Sequence, residues 1–364
     1  MEVANKYIFD IKPYVPGKPI EEVKRQLKLK SVIKLASNEN PYPPSPKVIA
    51  AMNKACADVN RYPDGGCFAL RGALAKHLKV DENQLIFGNG SDEIIVLAVK
   101  AFVGEGDEVI IAKPSFLIYE IASRLAGAKI HEVPLKNFRY DLKAMKAKLN
   151  KRTKIVFIGN PDNPCGTFIN TKEAEDFMKA ADKNTLVFFD EAYFEYVDAK
   201  DYPDTLKLMK KYPNIITTRT FSKMYGLAGL RVGYGIASLK IIDILNRLRE
   251  PFNVNSVAQA AAIAALSDKA YYRRLGAEVA EQRQYLYRSL KGLGLKYEES
   301  FTNFILIRVK NAKAIAQALL KGGVIVRDMT GWGLSDYIRV SIGTAAENKR
   351  FIKTLNNICH SRMF

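Results

Sequence analysis

The stretch NIITTRTFSKMYGLAGLRVGYG, residues 214–235, joins two apolar, β-branched runs through a segment of small residues. NIITT (214–218) and LRVGYGI (230–236) each read as a short strand, and the pair Ser222 and Lys223 closes the first of them. A strand that is apolar at every position, rather than at alternate ones, is covered on both faces. A lysine at the end of such a strand sits at the rim of a buried sheet. There it is either one more surface charge or a reactive amine.

The same pattern recurs outward from this segment. LIFG (85–88), EVIIA (108–112), KIHEV (129–133), KIVFI (154–158) and TLVFFD (185–190) are short apolar runs, each followed by a turn signal and a helical pattern. With the first two they predict an α/β fold whose large domain is built on a mainly parallel seven-stranded sheet wrapped by helices. Beyond the alanine-rich helix at AQAAAIAAL (258–266) the texture changes. A long charged helical segment from Asp268 leads to three further runs, FILIRV, VIVRD and YIRVSI, so a smaller C-terminal α/β domain is expected. The division expected is an N-terminal arm over 1–36 packing with the small domain, a large domain over 37–266, and a small domain over 267–364.

Composition narrows the function. No apolar run in the 364 residues approaches the length of about eighteen needed to span a membrane, and the N-terminus mixes charges with its apolar residues, so a cytoplasmic location is expected. Four cysteines (56, 67, 165, 359) form no CxxC pair and are accompanied by three histidines, which argues against a disulfide framework or a metal site. The net charge of +18 raises the possibility of a nucleic-acid partner. The basic residues are spread along the whole chain, however, and read as a solvated surface that favours anionic small molecules.

In open α/β sheets, ligands bind outside the carboxyl ends of the strands. After LIF comes Gly88-Asn89-Gly90-Ser91-Asp92, a tight turn opening a helix whose free N–H groups suit an anion. After KIVFI comes GNPDNPCGT with Asn163, and after TLVFF come Asp190, Glu191, Ala192 and Tyr193. After NIITT come Thr220, Ser222 and Lys223, with Arg231 eight residues beyond the lysine. Asp190 directly follows the run TLVFF, which predicts burial, and a buried carboxylate needs a cationic partner. Pyridoxal 5'-phosphate (PLP) calls for this set: an amine to bond it, a carboxylate to keep its ring nitrogen protonated, donors for its phenolic oxygen, and an N–H-rich cationic cup for its phosphate. Lys223 supplies the amine, Asp190 the carboxylate, and Asn163 and Tyr193 the phenolic contacts. Gly90, Ser91, Ser222 and Arg231 form the cup, and Asp92 and Thr220 are further cofactor-binding positions. Phe116, in KPSF after EVIIA, is placed to stack on the ring, while Tyr119 reads as a core aromatic.

These motifs carry a resemblance. In order along the chain, KLASNENPYPPSPKV (34–48), RYPDG (61–65), NGSDE (89–93), DEAYFEY (190–196) and TFSKMYGLAGLRVGYG (220–235) resemble the fold-type I PLP-dependent aminotransferases, in their histidinol-phosphate aminotransferase branch. The likeness extends from KPYVPGKPIEEVKRQL near residue 12 to IRVSIGTAAEN near 338. It implies a homodimer in which Tyr62 reaches the neighbour's cofactor phosphate. It also implies that Arg339 binds the substrate's anionic group, that Arg327 assists with a substrate phosphate, and that Tyr14 and Asn38 line the substrate side. The family often has NPNNPTG where this chain reads NPDNPCG, so Asp162 and Cys165 depart from the pattern and Asn163 keeps it.

The expected activity is a ping-pong transamination of L-histidinol phosphate with 2-oxoglutarate, a small-molecule amine and a 2-oxo acid. Aromatic amino acid transamination and phosphoamino-acid decarboxylation on the same scaffold are the alternatives. A nucleic-acid-binding module is the reading from another class, marked by steep salt dependence and no need of a cofactor.

Overall fold

The structure is a computed structural model that describes residues 3–11, 13, 17 and 19–360. Eleven strands are found among them: β1 (Ile33–Leu35), β2 (Leu85–Gly88), β3 (Glu108–Lys113), β4 (Lys129–Pro134), β5 (Thr153–Gly159), β6 (Leu186–Asp190), β7 (Ile215–Thr220), β8 (Gly233–Ala237), β9 (Phe304–Arg308), β10 (Val324–Asp328) and β11 (Tyr337–Ser341). The seven expected runs form one sheet in the order β2-β8-β7-β6-β5-β3-β4, and β8 alone runs against its neighbours.

Alternation within each run explains why the runs are apolar throughout. Val156, Ile158, Val187, Phe189 and Ile215 face one helical layer, and Ile155, Phe157, Leu186, Phe188 and Ile216 face the other. Burying each such side chain contributes about 1.5–3 kcal/mol. KIHEV is the exception. It forms the edge strand β4, where only Val133 is buried, so its polar residues lie toward solvent. The run at 230–236 begins later than expected, because Leu230 lies in a 3-10 turn and Arg231 has φ +57, a left-handed conformation that no strand accommodates.

A second sheet has the order β1-β10-β11-β9. Its strand β1 comes from the N-terminal region and pairs in parallel with β10, Ile33 opposite Val324. Phe304, Ile305, Val324, Ile338, Val340 and Phe351 belong to the same continuous core as the large sheet, so the two sheets pack as one body.

Candidate active site

The carboxyl ends of β2, β3, β5, β6 and β7 reach one edge of the large sheet, and antiparallel β8 begins there. Register aligns the chemistry: Gly159 lies opposite Asp190, Asp190 opposite Thr218, and Gly233 opposite both Thr220 and Gly88. A cavity of about 500 Å³ opens at this edge, a size that suits a cofactor with a small substrate. It is lined by Asn38, Ser91, Asp92, Phe116, Asn163, Asp190, Tyr193, Thr220, Ser222, Lys223, Arg231 and Arg339, twelve positions the sequence had singled out.

Lys223 follows β7 in a turn closed by the Gly226 N–H on the Lys223 carbonyl, 3.1 Å. Gly226 has φ +69, which glycine adopts without a Cβ clash. Asn40 Nδ2 donates to the Met224 carbonyl at 2.7 Å and ties the N-terminal region to this turn. The lysine side chain is half-buried because the cavity itself is open, but protein surrounds its amine, and Nζ lies 5.6 Å from the centre of the Tyr193 ring. Burial, followed by the positive charge of Arg339, pulls the amine down to about 8, against the opposing pull of Glu39 and Asp190.

Asp190 is buried and accepts hydrogen bonds from Tyr119 Oη at 2.7 Å and Thr218 Oγ1 at 3.4 Å. Burial raises its pKa while the Tyr119 hydroxyl works to lower it. Its bonded partners are neutral donors, so none of them cancels a negative charge on this carboxyl, which suits a protonated ring nitrogen facing it. Tyr119, read as a core aromatic, is that and also the orienting donor; its ring stacks on Phe157 at 4.7 Å. The only signal for it in the sequence is its position, three residues after Phe116.

At the other wall, the helix Ser91–Phe102 starts from Gly90 with no side-chain cap, leaving first-turn N–H groups for an anion. Gly90 has φ +90, and a Cβ there would lie 2.4 Å from Arg231 Nη2. Arg231 holds Asp92 at 2.9 Å. The space that glycine leaves, the uncapped helix and the guanidinium together form a cradle for a phosphate, and Ser222 and Thr220 face the same cavity.

Asn38, at φ +54, bridges the two sheets. Its Nδ2 donates to Tyr193 Oη at 2.9 Å, and its backbone N–H donates to Ser341 Oγ at 2.8 Å. Burial pushes Tyr193 up to about 12, opposed by the charge of Arg339 and by this bond. Arg339 on β11 is buried. It donates from Nη1 to Asn163 Oδ1 and from Nη2 to the Ala36 carbonyl at 3.2 Å, and it lies 5.3 Å from the centre of the Phe304 ring. The bond to Asn163 fixes that amide's orientation, with Nδ2 as the remaining donor.

Two predicted residues are placed elsewhere. Arg327, register partner of Arg339, stacks at 5.0 Å on Trp332 and lines an adjoining cavity of about 650 Å³ that shares Phe116, Leu117 and Trp332 with the first. Tyr62 is 83% exposed and stacks on Phe252 at 4.8 Å, outside this chain's own cavity. Tyr14 lies outside the described residues. Sequence reasoning did not single out Glu39, Gly159 or Trp332, which also line the cavity. Among the described residues, no cluster of His, Cys, Asp or Glu is placed to hold a metal, and no helix is long and apolar enough to cross a membrane.

Comparison with known proteins bears on this arrangement. The family Aminotransferase class I and II matches residues 30–355. A histidinol-phosphate aminotransferase of Moorella thermoacetica is 47% identical over 353 residues, covering 96% of this chain and 92% of that protein. One from Anaeromyxobacter sp. is 45% identical over 361 residues, covering 98% and 99%. The crystal structure of histidinol-phosphate aminotransferase from Sinorhizobium meliloti in complex with pyridoxal-5'-phosphate superposes with a TM-score of 0.91 at 29% identity, covering 99% of this chain and 98% of that one.

Proposed function

The chain belongs to the class I and II aminotransferases, and on that premise we propose that it is a PLP-dependent enzyme transferring the amino group of L-histidinol phosphate to 2-oxoglutarate, giving imidazole acetol phosphate and L-glutamate. The observation that carries the reading is the convergence, on one cavity, of a lysine with a lowered pKa, a buried carboxylate bonded only to neutral donors, and an uncapped helix terminus beside an arginine. The choice of substrate rests on the full-length identity to histidinol-phosphate aminotransferases.

The residues present fit the cofactor. Lys223 would hold it covalently, Asp190 would face its ring nitrogen, and Asn163 and Tyr193 its phenolic oxygen. Gly90, Ser91, Asp92, Thr220, Ser222 and Arg231 would cradle its phosphate, and Phe116 would cover the ring. When bound, PLP supplies an aldehyde that takes up amines and a ring that draws electrons from the carbon bearing the nitrogen. With its pKa near 8, Lys223 carries a neutral fraction at neutral pH and can take a proton from the substrate's α-carbon at Nζ. Tyr119 keeps the Asp190 carboxylate aimed and favours its charged form. Arg339, held by Asn163 and the Ala36 carbonyl, would grip the anionic end of the substrate, and Arg327 would assist from the adjoining cavity.

The exposed stack of Tyr62 on Phe252 suits a second copy of the chain, so the working unit is read as a homodimer in the cytoplasm with Tyr62 reaching the partner's cradle. The test is direct. Specificity constants are measured for histidinol phosphate and phenylalanine with 2-oxoglutarate, with carbon dioxide release from phosphothreonine followed alongside. Histidinol phosphate is expected to lead, and Lys223→Ala to lose at least about two to four orders of magnitude, the usual worth of acid–base catalysis. Preference for phenylalanine, or release of carbon dioxide, would replace the substrate assignment. Retained turnover in the Lys223→Ala variant would remove the lysine's role.

A further inference from the structure

Two acids, Asp92 and Glu93, stand in the first turn of the helix Ser91–Phe102, beside the N–H groups that the cradle offers to a phosphate. The partial positive charge of such N–H groups draws a first-turn acid toward them, and a glutamate in the third helical position commonly folds back as a cap. Neither acid caps this helix. Asp92 is held by Arg231 at 2.9 Å. Glu93 reaches back past the helix, where its Oε2 accepts from the Asn89 N–H at 2.5 Å and from Asn253 Nδ2 at 2.7 Å. The cradle as described above includes the first restraint and leaves the second without a role.

The amide of Asn253 can face only one way. Its Oδ1 accepts from Arg249 Nη1 at 2.9 Å, and an arginine only donates. Its Nδ2 therefore faces two acceptors, the Glu93 carboxylate and the Phe87 carbonyl at 3.0 Å. Phe87 belongs to β2, the strand that runs into the cradle loop, and Glu93 to the helix that leaves it. One side chain thus ties both ends of the loop together. The preceding residue, Phe252, has φ +57, a conformation that a bulky side chain adopts only at a cost, and its ring lies in the stack with Tyr62. On the inner side the loop has no room to shift. A Cβ on Gly88 would lie 2.6 Å from the Gly90 carbonyl oxygen, and one on Gly233 of β8 would run into the Ser91 nitrogen. Glycines fix the inner wall of the loop, and Asn253 fixes the outer one.

Resting on the aminotransferase reading, we propose that Asn253 is a positioning residue for the phosphate cradle: by holding Glu93 against the outer side of the loop, it keeps the helix from capping itself with its own acid and leaves the first-turn N–H groups to the ligand's phosphate. Without that amide, Glu93 has one restraint fewer and its negative charge moves toward the N–H groups that a phosphate needs.

The experiment measures, on the cofactor-free protein, the affinities for inorganic phosphate by calorimetry and for PLP and pyridoxal by absorbance. Pyridoxal lacks the phosphate while its aldehyde meets the same lysine, so it reports on the rest of the site. Asn253→Leu should weaken phosphate and PLP by about tenfold and leave pyridoxal within about twofold. Adding Glu93→Gln, which keeps an acceptor and removes the charge, should restore most of that loss. A merely structural role for Asn253 would weaken pyridoxal along with PLP, and Glu93→Gln would not rescue it; either result overturns the proposal, as does an unchanged phosphate affinity in Asn253→Leu. If Asn253→Leu does not fold, Asn253→Ser, too short to reach Glu93 but still polar, is judged by the same two criteria. Wild-type protein that binds phosphate yet transfers no amino group refutes the functional reading, and the phosphate affinities of the variants still decide the role of Asn253. Wild-type protein that binds no phosphate overturns the proposal whatever its activity.

Discussion

Lys223 in the cofactor-free protein should titrate far below other lysines, and raising the pH is the simplest perturbation that shows it. With the amine at about 8 rather than the ordinary 10.5, about a tenth of it is neutral at pH 7, against about three parts in ten thousand for a solvated lysine. The ratio is about three-hundredfold in reactive amine. The assay is competitive labelling with a small amine-directed acylating reagent at a series of pH values, followed by peptide mass spectrometry. Restricted access to the cavity scales the whole curve without moving its midpoint, so the midpoint reads the environment. The causes give signs as well. Arg339→Gln removes a positive neighbour and should raise the midpoint, whereas Asp190→Asn removes a negative one and should lower it. Because the folded amine binds protons less readily than the unfolded one, its contribution also makes the native state gain stability as pH rises from about 8 toward 10.5. A midpoint near 10 in the wild-type protein would refute the reasoning, since it would mean a solvated amine outside the influence of Arg339.

Three further outcomes follow from the geometry. Glu191 and Arg219 form a buried pair at 2.8 Å, so Glu191→Gln strands a guanidinium and should cost about 3–5 kcal/mol in urea denaturation; a loss below about 1 kcal/mol would mean that another group replaces the carboxylate. Glu108 is drawn down to about 2, first by Asn150 and then by His131, so its stabilisation is complete above the ordinary value of 4.5 and disappears as pH falls from there toward 2. Glu108→Gln should flatten acid unfolding in that window, as followed by circular dichroism. Phe252→Asp, which places a charge under Tyr62, should shift sedimentation toward single chains and weaken cofactor retention, and an unchanged sedimentation coefficient would remove this face from the interface.

The large sheet was legible because strands covered on both faces need an apolar residue at every position, and such runs stand out against the helices between them. Where one face is open, as in β4, composition misstates the environment. Strand β1 left no run at all, because its three residues are recruited by pairing with β10 far along the chain. The site was legible for the same reason as the sheet. Asp190 follows an apolar run directly, Lys223 and Asn163 each lie five residues past the end of one, and Arg339 stands out as a guanidinium inside one. The Tyr119–Asp190, Asn38–Tyr193 and Asn163–Arg339 bonds were not legible, since each joins elements distant in sequence. The sequence marks which groups reach the edge of the sheet, but their pairing depends on tertiary packing.

The proposed chemistry depends on Lys223 being the amine that holds the cofactor. Incubation of the purified protein with PLP, borohydride reduction and peptide mapping tests this most directly. The expected result is a yellow protein that bleaches on reduction and carries one pyridoxyl group, on the peptide containing Lys223. A protein that stays colourless, or a label found on other lysines with position 223 unmodified, would contradict it.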